Sequence, residues 1–142
     1  MNMKRLIVCG VMGLLLASVM CVCQAQTLRD GSNRAVGKIE SDGTVRNGLN
    51  AWIGCFEKSG TIRGAGNRTV GSIDHGTIRD GCNRQIGSVE SNGTVRNASN
   101  RKIGSVEANG TVRDANNMKI GSAEGVNASY AAVFFFFNLF ER

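Results

Sequence analysis

The sequence contains no proline, one histidine, one tryptophan and one tyrosine among its 142 residues. The absence of proline, together with 19 glycines, favours hairpins with positive-φ turns over a disordered linker. His75 lies in a short loop and has no second histidine with which to hold a metal ion. The acids recur at equivalent places, each matched to a base, unlike a catalytic pair. We therefore expect no catalytic residue, no metal, no cofactor and no enzymatic activity.

Cysteine is scarce outside the N-terminus, where three of the five cysteines lie. The other two, Cys55 and Cys82, form no CxxC pair and occupy different positions in non-neighbouring repeats. A zinc site is therefore not expected. Export would permit a disulfide between them, but their positions favour two unpaired thiols.

The first 25 residues have the pattern of a secretory signal. Lys4 and Arg5 precede an apolar run from Leu6 to about Val22, and small residues lead to a cleavage point after Ala25. A retained membrane anchor is the alternative, because the run approaches spanning length. Cleavage predicts a periplasmic, outer-membrane-associated or secreted protein without a membrane span in the mature chain. Removal of the signal takes away Lys4 and Arg5 and lowers the formal charge from +6 to +4. The remaining positive charges are few and not clustered, so they do not predict a nucleic-acid partner.

One phrase recurs six times after the signal, at a spacing of 17 residues with a single step of 16. The copies start at Thr27, Thr44, Thr61, Thr77, Thr94 and Thr111. Such repeats are supersecondary units that bury their apolar faces against neighbours. Their short β-branched runs alternate with Gly-containing loops. We therefore divide the chain into a signal peptide (1–25), a β-hairpin repeat domain (26–125) and an apolar C-terminal segment (126–142).

The shortened repeat fixes the strand register. A three-residue loop, Ser41-Asp42-Gly43, places Ile39 opposite Val45. A two-residue loop, His75-Gly76, preserves the equivalent apolar pair in the shortened copy, so the deletion falls in the loop. On the opposite face an acid is diagonal to an arginine in each hairpin, which predicts a structural ion-pair ladder: Glu40 with Arg46, Glu57 with Arg63, Asp74 with Arg79, Glu90 with Arg96, and Glu107 with Arg113. A ring of anion-binding arginines is the competing interpretation.

The same register places Cys55 opposite Arg63, whose charge would lower the pKa of the thiol, although a packed or idle thiol is the stronger interpretation. A glycine recurs on the inner face of the second strand, where it marks a close approach of backbones or a β-bulge. An asparagine recurs in the longer connection, where it can bond locally or adopt a left-handed conformation.

Ring closure stays open at this point. Six copies contain only five tight hairpins, because the first and last strands have no hairpin partner. The predicted fold is all-β, a radial or closed array of five to six β-hairpins. If the end strands pair, the ring closes as a sixth element, and otherwise the symmetry is five-fold.

The C-terminal segment carries five of the six phenylalanines. It is too short to span a membrane, and it would promote aggregation if it were exposed. We predict a short helix, capped by Asn127 or Ser129, that docks on the apolar end of the ring. A terminal strand is one alternative, because the Phe run has high β propensity, and a partner-docking peptide is another.

The recurring phrase GT[IV]R[DN]xxNxxIGx[IV]E, the five tight hairpins and the tail AAVFFFF resemble the five-fold beta-flower proteins, small exported repeat proteins of Bacteroidetes. The resemblance covers Thr27 to Phe140. It implies a radial arrangement of hairpins and no activity that can be transferred. The chain departs from the phrase at Leu49 and Trp52, and again at Gly64-Ala65-Gly66.

Function is expected where the copies disagree. Leu49 and Trp52 replace small or polar residues and are weak candidates for ligand contacts, although structural packing of Trp52 is the stronger interpretation. The expected role is a non-enzymatic, secreted or periplasmic structural or interaction module, with a protein or glycan of the cell envelope as partner. The alternative is a binder of a glycan or other anionic ligand through the Arg-bearing strand face or Trp52.

Overall fold

Twelve antiparallel strands form one closed barrel in the computed structural model, which describes residues 26–141. The expected signal peptide lies outside the described residues. Each strand pairs with its neighbours in the chain, and the first strand pairs with the last. The strands are β1 (Gln26–Asp30), β2 (Ala35–Ile39), β3 (Thr44–Asn47), β4 (Trp52–Phe56), β5 (Thr61–Gly64), β6 (Thr69–Asp74), β7 (Thr77–Asp80), β8 (Gln85–Val89), β9 (Thr94–Asn97), β10 (Lys102–Val106), β11 (Thr111–Asp114) and β12 (Lys119–Ser122).

The predicted all-β hairpin array is confirmed, in its closed form. Each repeat supplies two strands, which we call a unit, and six units complete the ring. Of the two outcomes left open by the sequence, the end strands pair, because Arg29 faces Ser122 and Asp30 faces Gly121. Closure leaves no free sheet edge, which is a physical advantage for a chain of short β-branched strands.

Two kinds of loop alternate around the barrel and lie at opposite ends of it. The tight loops (41–43, 58–60, 75–76, 91–93 and 108–110) join one unit to the next, and the wide loops (31–34, 48–51, 65–68, 81–84, 98–101 and 115–118) join the two strands of a unit. In the first tight loop, Gly43 has φ 95° and its N–H donates to the Glu40 carbonyl at 2.9 Å. In the two-residue loop, His75 and Gly76 both have positive φ, as a type I′ turn requires.

The apolar pairs predicted from the shortened repeat are all present. Ile39 faces Val45, Phe56 faces Ile62, and Ile73 faces Ile78, with the same pairing in the two later hairpins. Between the two strands of a unit the register shifts by one residue. The apolar residue before the recurring glycine, such as Val36 or Ile53, is left without a partner and forms a β-bulge. Both explanations offered for that glycine therefore apply: it lies next to a β-bulge, and neighbouring atoms approach its backbone closely.

The C-terminal segment enters the ring. Asn127 caps α1 (Ala128–Ala132), its Oδ1 accepting the Ser129 N–H at 2.8 Å. A π-helical turn, Val133–Phe137, follows directly and ends at Asn138, which is left-handed. Ala131, Ala132 and Val133 are fully buried, so a helix replaces the alternative terminal strand.

Each recurring glycine meets one side chain of this segment. The pairs are Gly37 with Phe134, Gly121 with Phe135, Gly104 with Phe136, Gly87 with Phe137, Gly71 with Leu139 and Gly54 with Phe140. From Phe134 to Phe140, these six tail side chains contact units one, six, five, four, three and two in turn. An α-helix advances about 100° per residue, whereas six units around a ring are about 60° apart. The wider π-helical turn and the left-handed Asn138 therefore bring consecutive side chains to neighbouring units.

Candidate functional site

The arginines of the outer strand face are held by the acids predicted for them in four hairpins. Nε donates to a glutamate Oε2 at 3.0, 2.7, 2.8 and 3.0 Å for Arg46, Arg63, Arg96 and Arg113. The Nη1 group of each also donates to an asparagine carbonyl of the adjacent wide loop at 3.1 to 3.2 Å. These side chains lie at the surface, where such a pair contributes about 0 to 1 kcal/mol. Their charges are neutralised locally, so this face is not a ring of free anion-binding groups.

The expected pair of Asp74 with Arg79 is wrong. Asp74 Oδ1 lies 2.7 Å from His75 Nδ1, and Arg79 donates to the Asn83 carbonyl at 3.2 Å. The cause is the two-residue loop, in which Asp74 faces Thr77 directly at the end of a longer strand. Among residues 26–141, Arg79 therefore has no carboxylate partner.

The wide loop of unit two presents the candidate contact residues. Asn47 Oδ1 accepts the N–H groups of Leu49 at 2.9 Å and Ala51 at 3.0 Å, which fixes the loop backbone. Leu49 is 90% exposed, whereas Trp52 is 37% exposed and faces Arg46 across the strand pair. Leu49 is too exposed to be the packing partner of Trp52. The two side chains flank one wide loop, but only Leu49 stands fully in solvent.

The same backbone bonding recurs in four other units and was missed in the sequence. Asp or Asn at the end of the first strand accepts two loop N–H groups, as Asp30 does from Ser32 and Arg34 at 2.9 Å each. The hydrogen bond from the Arg34 backbone, supported by that from Ser32, lowers the pKa of Asp30. The sequence contained this signal, because an Asp or Asn recurs three residues before the left-handed asparagine of every wide loop except that of unit three, which has Asn67.

Unit three lacks this side chain because Gly64 occupies the position. A cavity of about 150 Å³ lies there, lined by residues that include Arg68, Val70, Leu139 and Glu141. Leu139 and Glu141 therefore lie beside the wide loop of unit three. The helix start, by contrast, lies at the tight-loop end, where Asn127 and Ser129 line a cavity with His75. The segment thus passes from one end of the barrel to the other.

The wide-loop end contains two further features that the sequence reasoning missed. Met118 is 64% exposed at a position where four other units have arginine. Of these arginines, Arg34 and Arg84 lie 3.8 and 3.6 Å from an acid of their own loop. Arg68 and Arg101 have no acidic partner in the described part of the chain. The apolar and the unpaired basic positions thus occupy different arcs of one rim.

The cysteines are both free, Cys82 exposed and Cys55 partly covered. Cys55 does face Arg63, as the register predicted. The pKa of its thiol is raised and not lowered, because burial and then the charge of Glu57 outweigh the opposing effect of Arg63. These effects favour the neutral thiol of Cys55 over the thiolate, which is the nucleophilic form.

The described residues contain no group of three or more His, Cys, Asp or Glu side chains arranged to hold a metal ion. Between residues 26 and 141, no helix combines the length and apolar character needed to cross a membrane.

Comparison with known proteins agrees with this architecture. A family described as 5-fold beta-flower protein matches residues 25–139, which include every strand and almost the whole tail. No curated protein and no solved structure matches the chain. The family description is five-fold, and this barrel has five tight loops but six units. The chain belongs to the 5-fold beta-flower family and is a small all-β repeat module.

Proposed function

We propose that this protein is a non-enzymatic interaction module, exported by its N-terminal signal, which binds a partner through the wide loop of unit two. The partner class is a protein or glycan of the cell envelope. The observation that carries the proposal is Leu49, a large apolar side chain that is 90% exposed on a loop with a fixed backbone.

The equivalent positions support this assignment. Ser32, Gly66, Cys82, Ser99 and Asn116 stand where Leu49 stands in unit two. All six of these loop positions are exposed, so the barrel itself does not require leucine there. Exposed apolar residues on a rigid loop are suited to recognition, because little conformational entropy is lost on binding.

Site-specific photocrosslinking tests the proposal directly. A photoreactive residue is placed at Leu49 and, as a matched control, at Ser99 in the same loop position of unit five. Crosslinked products are then compared in cells that export the protein. We expect one discrete product from position 49 alone, reduced by Trp52→Thr. Equal products from both positions, or none from position 49, would contradict the proposal.

An anionic ligand is the second candidate, and one observation favours it. Arg68 and Arg101 lie on the wide-loop rim without an acidic partner among the described residues, whereas the strand-face arginines are largely paired. Binding at this arc should fall steeply with added salt, because exposed charges are screened within about 8 Å at physiological ionic strength. A glycan array with the parent chain and Trp52→Ala separates it from the first candidate, because Trp52 lies outside the basic arc.

A further inference from the structure

The seam between β1 and β12 is the one junction between units without a tight loop. In the first tight hairpin the ladder has three pairs, ending with Ile39 and Val45, and is closed by the Glu40 N–H on the Thr44 carbonyl. At the seam the ladder has two pairs and stops at Arg29 and Ser122. The next pair in that register would join Leu28 to Ala123.

The seam ladder stops because the chain turns away to form the tail. Ala123 keeps the N–H bond to the Gly110 carbonyl that its equivalents make, as Val106 does to Gly93, but the carbonyl of Ala123 accepts the Val126 N–H at 3.1 Å. This turn carries away Glu124, the residue equivalent to the acids of the outer face. Among the described residues no ion pair joins Glu124 to Arg29, and residues 1–25 contain no Asp or Glu that could replace it.

Arg29 is nevertheless oriented like its equivalents. Its Nη1 donates to the Asn33 carbonyl at 3.1 Å, as Arg96 Nη1 does to the Asn100 carbonyl at 3.2 Å. In unit five the Nε of Arg96 is occupied by Glu90 at 2.8 Å. The barrel therefore contains four examples of a carboxylate bound at this arginine position. Within residues 26–141 the position lacks a carboxylate at Arg29 and at Arg79.

A cavity of about 420 Å³ adjoins this position. Arg29 and Lys119 supply two positive charges to its lining and Glu124 supplies one negative charge. The other lining groups are amides, hydroxyls and backbone: Gln26, Thr27, Asn33, Asn109, Thr111 and Ser122. The volume lies within the range of small-molecule sites, and a wall of this kind suits a ligand with several hydroxyl groups.

We propose that the seam cavity binds a small hydroxylated carboxylate, such as an acidic monosaccharide, whose carboxylate occupies at Arg29 the position that glutamate occupies in other units. Lys119 adds a second positive charge, and the hydroxyl and amide groups of the wall bond to the ligand hydroxyls. The site is separate from Leu49 and Trp52.

Titration calorimetry with glucuronate and galacturonate tests this site, using purified protein whose N-terminus has been determined by mass spectrometry. Glucose and inorganic phosphate are the comparison ligands. We expect saturable uronate binding, no glucose binding and weaker phosphate binding. Arg29→Gln should weaken uronate binding about tenfold or more, as expected for the loss of a charge-assisted hydrogen bond. Glu124→Gln should strengthen it, because it removes the negative charge from the wall.

Matched variants locate the effect. Arg96→Gln changes the equivalent, acid-paired arginine, and Arg79→Gln changes an arginine without an acid partner away from the seam, so both should bind uronate like the parent. If Arg29→Gln fails to unfold cooperatively, Arg29→Lys keeps the charge, loses the guanidinium fork and should still weaken binding. Leu49→Ser should have no effect, which separates this site from the proposed function. The proposal is overturned by the absence of uronate binding, by equal binding of phosphate, or by full binding to Arg29→Gln or to Arg29→Lys.

Discussion

Gly37 offers the most direct test of the pairing between tail and barrel. A methyl group added there would lie 2.7 Å from Phe134 Cζ and 2.7 Å from the Arg46 carbonyl oxygen. Phe134 is only 1% exposed, so its ring cannot move into solvent. Gly37→Ala therefore forces a shift of the ring, of the strand pair, or of both.

The expected cost follows from overpacking. Inserting one methyl group into a well-packed core typically costs about 1 to 3 kcal/mol, and we expect Gly37→Ala near the upper end because both neighbours are fixed. Gly66→Ala is the matched control, since nothing lies within 4 Å of its added methyl. There the loss of backbone freedom in the unfolded chain should stabilise the protein by about 0.4 to 1 kcal/mol.

Urea unfolding followed by circular dichroism gives the free energies of the single variants and of a double-mutant cycle. Phe134→Leu makes room at Gly37, so the two changes together should cost about 1 kcal/mol less than their sum. Gly37→Ala combined with Leu139→Ala, which alters the side chain at Gly71, should be additive within about 0.5 kcal/mol. Equal stability of Gly37→Ala and the parent, or strict additivity with Phe134→Leu, would refute the one-to-one pairing.

Three further predictions concern the tail and the loops. Deleting residues 130–140 should cause aggregation or loss of cooperative unfolding, because it uncovers the barrel interior; a soluble and equally stable truncation, checked by light scattering, would show a partner peptide instead. Asn127→Ala should lower the free energy of unfolding by about 1 kcal/mol through loss of the helix cap, whereas Asn138→Gly, at a left-handed position, should be tolerated. The backbone hydrogen bonds from Arg34 and Arg84 hold the pKa values of Asp30 and Asp80 below the ordinary value of 3.8. The stability that the two ionised carboxylates contribute is therefore fully present above pH 3.8 and is lost as the pH falls through the lowered pKa. Asp80→Asn removes one of these carboxylates, so the acid unfolding of this variant should be less steep.

The strand register was predictable because the sequence contains its own control. The 16-residue step removes one loop residue and leaves Ile73 opposite Ile78, and only one register satisfies both loop lengths. The same shortening made the predicted pairing of Asp74 with Arg79 wrong. In the two-residue loop the Asp74 side chain contacts His75 instead of Arg79. Regular copies specify backbone pairing better than they specify the contacts of an irregular copy.

The destination of the tail was predictable only in part. Its apolar composition required burial and Asn127 predicted the cap, but the sequence does not show that a helix can enter the ring. One signal was available, because the six recurring glycines equal in number the large apolar side chains from Phe134 to Phe140. Matching the two sets needs closure of the barrel, which depends on a contact between strands at opposite ends of the chain.

The proposed seam site could not be predicted from the sequence. The predicted register pairs an acid with each arginine in a strand that follows a tight loop. Arg29 lies in β1, which no tight loop precedes, so the register predicts no partner for it. Its position beside Lys119 arises from closure alone.

The correspondence between glycines and tail residues links the length of the tail to the number of units. A duplication of one 17-residue copy would widen the ring and add a glycine for which the tail supplies no side chain. A deletion of one copy would remove a glycine and leave one tail side chain with no glycine to pack against. Recombination between near-identical copies is therefore restrained by a segment outside the repeats, and gain of a unit should require a compensating insertion between Phe134 and Phe140.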